Sequence, residues 1–315
     1  MERKTDDGMM VAVRVSLAAN AVLFCIKLAA LFVVNSLAVA ADLGISIVSL
    51  GVSVILYHAI RMSNKPADIF HNYGYGKVEN VAEAIEGVVL IGLAVAMTIQ
   101  AMLKLINPGE GVHSPVIGLI ASLAGVAINF RGSVFILKLA AEHASPALKA
   151  EGIHFRLEGI ISASITIAFG IAIILHHFGM EELARYVDPV ATLIVSAVIA
   201  VPSAQILREA FMKLLDASIA ETSQMDVIRV LTVHYHRYCN FKNIRTRSAG
   251  RRQFVDIQVV VPDHMSIKDG HKIASLIKED ITATIPESDV TVHIEPCRRD
   301  CAYIKNGQPC PYVSD

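Results

Sequence analysis

Six apolar stretches, each close to the ~20 residues that cross a bilayer as a helix, constrain this chain more than any other feature. They fall near residues 11–34, 37–60, 81–106, 115–140, 147–177 and 187–207. Hydrocarbon offers the backbone no hydrogen-bond partner, so segments of this kind span as helices. The first carries Arg14 and Lys27 and lacks the small-residue cleavage site of a signal peptide, so it reads as a retained helix. Composition agrees, with 54% hydrophobic and 18% charged residues and a mean hydropathy of +0.52, well beyond an ordinary soluble domain. A net charge of −1 gives no sign of a nucleic-acid partner.

Lys and Arg distribute unevenly between the connections, and that bias orients a membrane protein. Arg3 and Lys4 precede the first helix, and Arg61, Lys65 and Lys77 lie between the second and third. Lys138 and Lys149 bracket the next connection on that side, and Arg208 and Lys213 follow the sixth helix. On the opposite side, "VVNSL" and "INPGEGVHSP" carry no Lys or Arg, and "HHFGMEELARYVDP" carries only Arg185. The expectation is a multi-pass protein with both termini cytosolic, in the cell (inner) membrane or an internal compartment.

After about residue 222 the pattern changes. "MDVIRVLTVHYHRY" has helical spacing, while "FKNIRTRSAG" and "RQFVDIQVVVP" read as paired strands. "SIKDGHKIASLIKEDITATI" is an amphipathic helix opened by a Ser cap, and "DVTVHIEP" closes the set as an alternating strand. The fold class is therefore an α-helical membrane protein with six transmembrane helices plus a C-terminal α+β domain. That domain, in the order αββαβ, is a ferredoxin-like, metallochaperone-like sandwich with helices on one face of a sheet. The expected boundaries are 1–213 for the membrane domain, 214–222 for a linker, 223–297 for the cytosolic domain and 298–315 for a Cys-containing tail. A core of about 75 residues is marginal alone, which favours a partner copy.

Within the membrane region, "KAEGIHFRLEGIIS" puts His154 and Glu158 four residues apart, on one face of a helix. Ionisable groups in a membrane helix are expensive and usually functional. An imidazole and a carboxylate suit zinc, iron or manganese; the same pair could equally link two helices. A metal site needs further ligands from another helix. The second helix offers Asp42, Ser46 and Ser49 at i, i+4 and i+7, a polar stripe that could serve as ligands or as interhelical glue.

The run "KPADIFHNYGYGKVENVAEAIEG", with "NSLAVAADLGIS" before it and "ALKAEGIHFRLEGIIS" after it, resembles the cation diffusion facilitators, a family of metal transporters. The resemblance extends through the cytosolic domain to "SDVTVHIEPC". It implies a homodimeric six-helix exporter of a divalent metal ion such as zinc, iron(II) or manganese, driven by proton antiport; a heterodimer with a related transporter is the variant arrangement. It also implies a transport site with two ligands from helix two and two from helix five, where His154 and Glu158 match the helix-five pair. On helix two, Ile45 and Ser49 occupy the ligand positions, while Asp42 and Ser46 match flanking residues. Ile cannot coordinate metal and a neutral Ser binds weakly, so this half of the site is degenerate. Three readings follow: Asp42 substitutes after a one-turn shift, a weaker site suits a more weakly held ion, or the chain no longer transports. In the third, it scaffolds or regulates a competent relative. Metal binding to the His154 imidazole displaces a proton, which is a coupling step in an antiporter.

The resemblance implies further sites. Asp68 and His71 in the cytosolic loop can share a metal, although Tyr75 stands where another ligand is expected. Lys77 and Asp216 match a charge pair that fastens the dimer. His271, His293 and Glu295 match a regulatory metal site at the dimer interface, with Lys242 and Gln258 where relatives place His. In the tail, Cys297, Cys301 and Cys310 remain thiols in a reducing cytosol and read as a soft-metal clip, with His293 as a fourth zinc ligand. Cys25 and Cys239 read as packing residues. The sequence carries no His-Glu-x-x-His helix, Gly-rich phosphate loop or Gly-x-Ser-x-Gly elbow, so no enzyme is expected.

Overall fold

The computed structural model describes residues 2–34, 37–107 and 115–298. They divide into two compact units, Met1–Phe211 and Met212–Asp315.

The first unit holds six long helices: α1 (Glu2–Val34), α2 (Leu37–Ser63), α3 (Lys77–Ile106), α4 (Pro115–Glu142), α5 (Pro146–His177) and α6 (Glu181–Leu214). Among the described residues, these six are long and apolar enough to cross a membrane. Most of each span faces outward: along α3, Val81, Val88, Val95, Ile99 and Leu103 are exposed, as lipid-facing residues must be. Several helices outrun the apolar stretches that announce them. The segment read as a connection, "HHFGMEELARYVDP", is already α6 from Glu181 onward. Counting apolar residues measures the bilayer crossing, whereas the helix continues into the interface where water satisfies its termini. The turn before α6 is tight: Gly179 adopts φ +72°, and the Met180 N–H donates back to Leu175 O at 2.9 Å, closing α5.

α4 lies along α5, α1 lies along α2, and α3 touches both α2 and α5. One apolar cluster joins Met9, Val13, Leu56, Ile60, Ile136, Leu148 and Phe155. A second joins Leu90, Met97, Leu157, Val195, Ile199 and Ile206 from α3, α5 and α6. α5 contributes to both, so its polar residues sit between two apolar masses.

The second unit has the predicted order: α7 (Glu221–Val233), β1 (Asn240–Ala249), β2 (Arg252–Val261), α8 (Ile267–Thr284) and β3 (Ser288–Pro296), with a short 3-10 turn at Tyr235–Arg237. β1 and β2 pair antiparallel through a two-residue turn, whereas β2 and β3 pair parallel and require α8 as the crossover. The helices cover one face. Ile273, Ile277 and Ile281 of α8 pack with Val227 and Leu231 of α7 and with Val255, Ile257, Val259 and Val290 of the sheet. The Ser266 cap is present: its Oγ accepts from the Asp269 N–H at 3.1 Å. Cys239 is half-buried, whereas Cys25 lies exposed on the outer surface of α1 rather than packed inside.

Candidate metal-transport site

The helix-five pair is buried, with His154 and Glu158 1% and 7% exposed. Their spacing brings His154 Nε2 to 3.1 Å from Glu158 Oε1. From α2, Ser49 Oγ donates to Glu158 Oε1 at 2.6 Å and stands 3.2 Å from His154 Nε2. Three donor atoms on two helices thus converge on one point. Ser46 is buried one turn away. Asp42 and Ile45 belong to α2, but their side chains lie outside the described residues.

The fourth participant was not anticipated. Glu86 on α3, buried, holds His154 through Nδ1 in a short contact. A carboxylate on Nδ1 fixes the ring orientation and leaves Nε2 as the coordinating atom, the role that outer-shell carboxylates play at His-metal sites. Glu86 is the end of a line: Glu79, Glu83 and Glu86 fall at i, i+4 and i+7 on one buried face of α3. Glu79 accepts from Ser63 Oγ at 2.9 Å and from Ser145 Oγ at 2.6 Å. Glu83 accepts from Asn80 Nδ2 at 3.4 Å and lines a cavity of about 160 Å³ with Lys149, Gln205 and Glu209. Lys149 Nζ closes one side of that cavity by pairing with Glu209 Oε2 at 3.1 Å. A further buried carboxylate, Glu151, lies one turn before His154 on α5 and accepts from Ser53 Oγ at 2.7 Å and from Ser16 Oγ. For the three α3 residues the only sequence signal is the spacing in "ENVAEAIEG", which puts them on one helix face without saying which way that face turns.

Among the described residues, no three His, Cys, Asp or Glu side chains converge on a common point. Glu86 and Glu158 address opposite ring nitrogens, so the converging set is His154, Glu158 and the Ser49 hydroxyl. These donors suit a divalent cation held loosely and still partly hydrated rather than one closed off in a four-ligand cage.

Elsewhere the predicted residues are placed as follows. In the loop, Asp68 is spent on its own backbone: its Oδ1 accepts from the N–H groups of His71 (2.7 Å) and Phe70 (2.9 Å). Tyr75 Oη donates to Oδ2 at 2.7 Å. His71 Nδ1 lies 3.4 Å from Asp68 and its ring stacks on Tyr75. The Tyr75 hydroxyl, followed by the His71 N–H, holds the Asp68 carboxyl below the usual carboxylate range, and the carboxylate pushes the Tyr75 phenol up. Asp216 lies 3.8 Å from Arg247 Nη1 within its own unit, and Lys77 opens α3.

On the open face of the sheet, strand register aligns Lys242, Gln258 and His293 in one row. His293 Nε2 is 3.9 Å from Glu295 Oε1, but Lys242 Nζ holds Glu295 Oε2 at 2.7 Å. That ammonium holds the Glu295 carboxyl below its ordinary range. His271 is exposed on α8, whose neighbouring Gly270 faces Ile294. Ile294 alternates with His293 and Glu295, so His271 belongs to the helical layer and the other two to the opposite face. Within one protomer the three are not brought together. Cys297 is half-buried beside β2, its N–H donating to Val261 O at 2.8 Å; Cys301 and Cys310 lie outside the described residues.

Comparison with known proteins covers both units. The family profile described as the cation efflux transmembrane domain matches residues 13–215, and the one described as the cation efflux protein, cytoplasmic domain, matches residues 220–297. The chain is similar to the cation-efflux pump FieF of Cronobacter sakazakii, 24% identical over 295 residues, covering 93% of this chain and 95% of that one. It is similar to FieF of Salmonella typhi, 26% identical over 291 residues, with 90% and 92% covered. It is also similar to the uncharacterized transporter sll1263 of Synechocystis sp., 25% identical over 271 residues, with 86% and 85% covered. With membrane and cytoplasmic domains both matched, this chain belongs to the cation efflux family, the cation diffusion facilitators, whose members are transporters and not enzymes.

Proposed function

We propose that this protein exports a divalent metal ion, zinc, iron(II) or manganese, from the cytosol in exchange for protons, as a homodimer with both termini cytosolic. The observation that carries the reading is the convergence of His154 Nε2, Glu158 Oε1 and Ser49 Oγ, all within 3.2 Å of one another, at a buried point between α2 and α5. A metal ion arriving there replaces the proton that His154 otherwise shares with Glu158, and the Nε2 lone pair becomes a ligand. The cavity at Glu83, Lys149, Gln205 and Glu209 supports a route in from the side of the Lys- and Arg-rich loops. Asp42 completes the set if α2 shifts by one turn. Asp68 with His71, and His271 with His293 and Glu295 across two protomers, remain secondary sites in this reading, as do Cys297, Cys301 and Cys310 with a structural or regulatory zinc. Lys77 and Asp216 fasten the dimer. The membrane is the cell membrane or that of an internal metal-accumulating compartment.

Ile45 at a ligand position favours one other reading, a non-transporting relative that scaffolds or regulates a competent transporter, alone or as a heterodimer. Uptake into proteoliposomes under an imposed pH gradient separates the two. Zinc, iron(II) and manganese are tested with wild type, His154→Ala/Glu158→Ala and Ile45→Asp/Ser49→Asp. Export predicts wild-type flux that the first variant abolishes. A silent wild type that gains flux in the second variant means a transporter fold put to another use, in line with the second reading.

A further inference from the structure

Glu151 takes no part in the site just described, yet it is one of the most deeply buried carboxylates in the membrane unit, 1% exposed. Its described partners are hydroxyls, Ser16 of α1 and Ser53 of α2. Ser16 Oγ and Ser53 Oγ lie 3.1 Å apart, with either able to donate, and Asn20 Nδ2 donates to Ser53 Oγ at 2.7 Å. Among the described residues, three helices thus contribute one buried network of a carboxylate, two hydroxyls and an amide, without Lys or Arg.

A hydroxyl both donates and accepts. With Glu151 ionised, Ser16 and Ser53 both donate to it. With Glu151 protonated, its O–H donates to Ser16, and Ser16 turns its own hydrogen to Ser53, which the 3.1 Å separation allows. Hydroxyl rotation therefore satisfies the network in either protonation state without moving a heavy atom. Backbone N–H groups or an arginine would favour only the ionised form. A buried carboxylate held only by hydroxyls is expensive when charged, and a network indifferent to charge suits a group that loads and unloads a proton.

The charges around it decide when. Glu86 of α3 and His154 of α5 are charged groups that act on Glu151. Of the other acids on α3, Glu79 is held by two serines and Glu83 faces the cavity. Arg14 of α1, His58 and Arg61 of α2, and Arg131, Lys138 and Glu142 of α4 lie on exposed sides, while Lys27 of α1 acts on Glu158. Glu86 touches His154 and also acts on Glu151, so it feels both sites.

We propose that Glu151, with Ser16, Ser53 and Asn20, is a proton-carrying site of this transporter, separate from the His154–Glu158 metal site one turn away. The inference rests on the transport reading for its role but not for its chemistry. A divalent ion at His154 and Glu158 repels the proton on Glu151 through a low-dielectric interior, and the proton leaves to the cytosol as metal loads. When metal departs on the far side, a proton from that side takes its place on the carboxylate. One carboxylate oxygen gains or loses one proton, and no other bond changes.

Infrared difference spectroscopy of the purified full-length protein, stepped between mildly acidic and mildly alkaline pH without metal, reads this directly. The expected result is a carboxylic C=O band that appears on acidification and is lost in Glu151→Gln. In Ser16→Ala/Ser53→Ala the band persists at higher frequency, because the acid has lost its hydrogen-bond partners. Should Glu151→Gln fail to fold, Glu151→Asp must shift the band. A band that survives Glu151→Gln, or is missing from wild type across the range, overturns the proposal. In proteoliposomes, accumulation driven by a pH gradient falls in Glu151→Gln to the level seen without a gradient, while passive metal exchange persists. Unchanged gradient-driven accumulation in that variant overturns the coupling role. A wild type that moves no metal refutes the transport reading, and the infrared band still decides for Glu151.

Discussion

His154 has both ring nitrogens committed, Nδ1 to Glu86 and Nε2 toward Glu158 and Ser49. Outer-shell carboxylates of this kind change metal affinity or activity by about 10- to 100-fold when removed. Glu86→Gln is therefore expected to weaken zinc binding by that order, read by competition with a fluorescent chelator, with Glu86→Asp retaining part of the affinity. Affinity unchanged in Glu86→Gln would reduce Glu86 to a packing partner. Outside the membrane, the Tyr75–Asp68 bond needs an ionised carboxylate and a protonated phenol. Asp68 titrates below its unfolded value, so its contribution to loop order is complete above that value and fades as pH falls through the folded one. Tyr75 titrates above its unfolded value, so its share is complete at neutral pH and fades as pH rises through the folded value. Tyr75→Phe removes the largest cause of the Asp68 shift. Acid-induced proteolysis between residues 64 and 76 is expected to begin at a higher pH in that variant; an identical onset would mean the bond contributes nothing to loop order.

The packing of helices limits what each element tolerates. A Cβ at Gly87 on α3 would sit 2.9 Å from the backbone of Leu207 on α6, whereas Gly92, further along α3, has nothing within 4 Å. Backbone cannot yield as a side chain does, so Gly87→Ala should cost about 1–3 kcal/mol through forced separation of the helices. Gly92→Ala should instead gain up to about 1 kcal/mol from helix propensity. Thermal unfolding in detergent tests the pair, and equal melting temperatures would contradict the close approach of α3 and α6. In the soluble unit, Ser266→Ala removes the α8 cap and should cost about 1 kcal/mol, seen as faster amide exchange in the first turn of α8. These elements were legible because each carries a local signal: alternation for β3, the Ile273–Ile277–Ile281 spacing and Ser cap for α8, and long apolar runs for the six spans. The helix-five pair was legible for the same reason, since four-residue spacing fixes a face. Glu86 and Glu151 were not, because their significance depends on which helix packs against which. No property of "ENVAEAIEG" alone says that its acidic face turns inward toward α5 rather than outward to water.

Across the whole membrane unit, the buried polar residues lie close enough to act on one another. Glu79, Glu83 and Glu86 run along α3, His154 and Glu158 receive the line on α5, and Glu151 stands beside it. Acidic groups enclosed in this way attract cations and repel anions, which fits cation passage. The direction of passage depends on orientation. Six spans would put both ends of the chain on one side, and in the proposed reading the charge bias of Arg61, Lys65 and Lys77 makes that side the cytosol. The opposite assignment would place the cavity at Glu83 and the whole second unit outside, making the same protein an importer. Cysteine labelling separates these cases. In a background with the native cysteines replaced by serine, Lys65→Cys should resist a membrane-impermeant maleimide in intact cells and react after permeabilisation. Asn107→Cys, at the other end of α3, should react in both. The reverse pattern would invert the orientation, and with it the direction in which His154 and Glu158 deliver their ion.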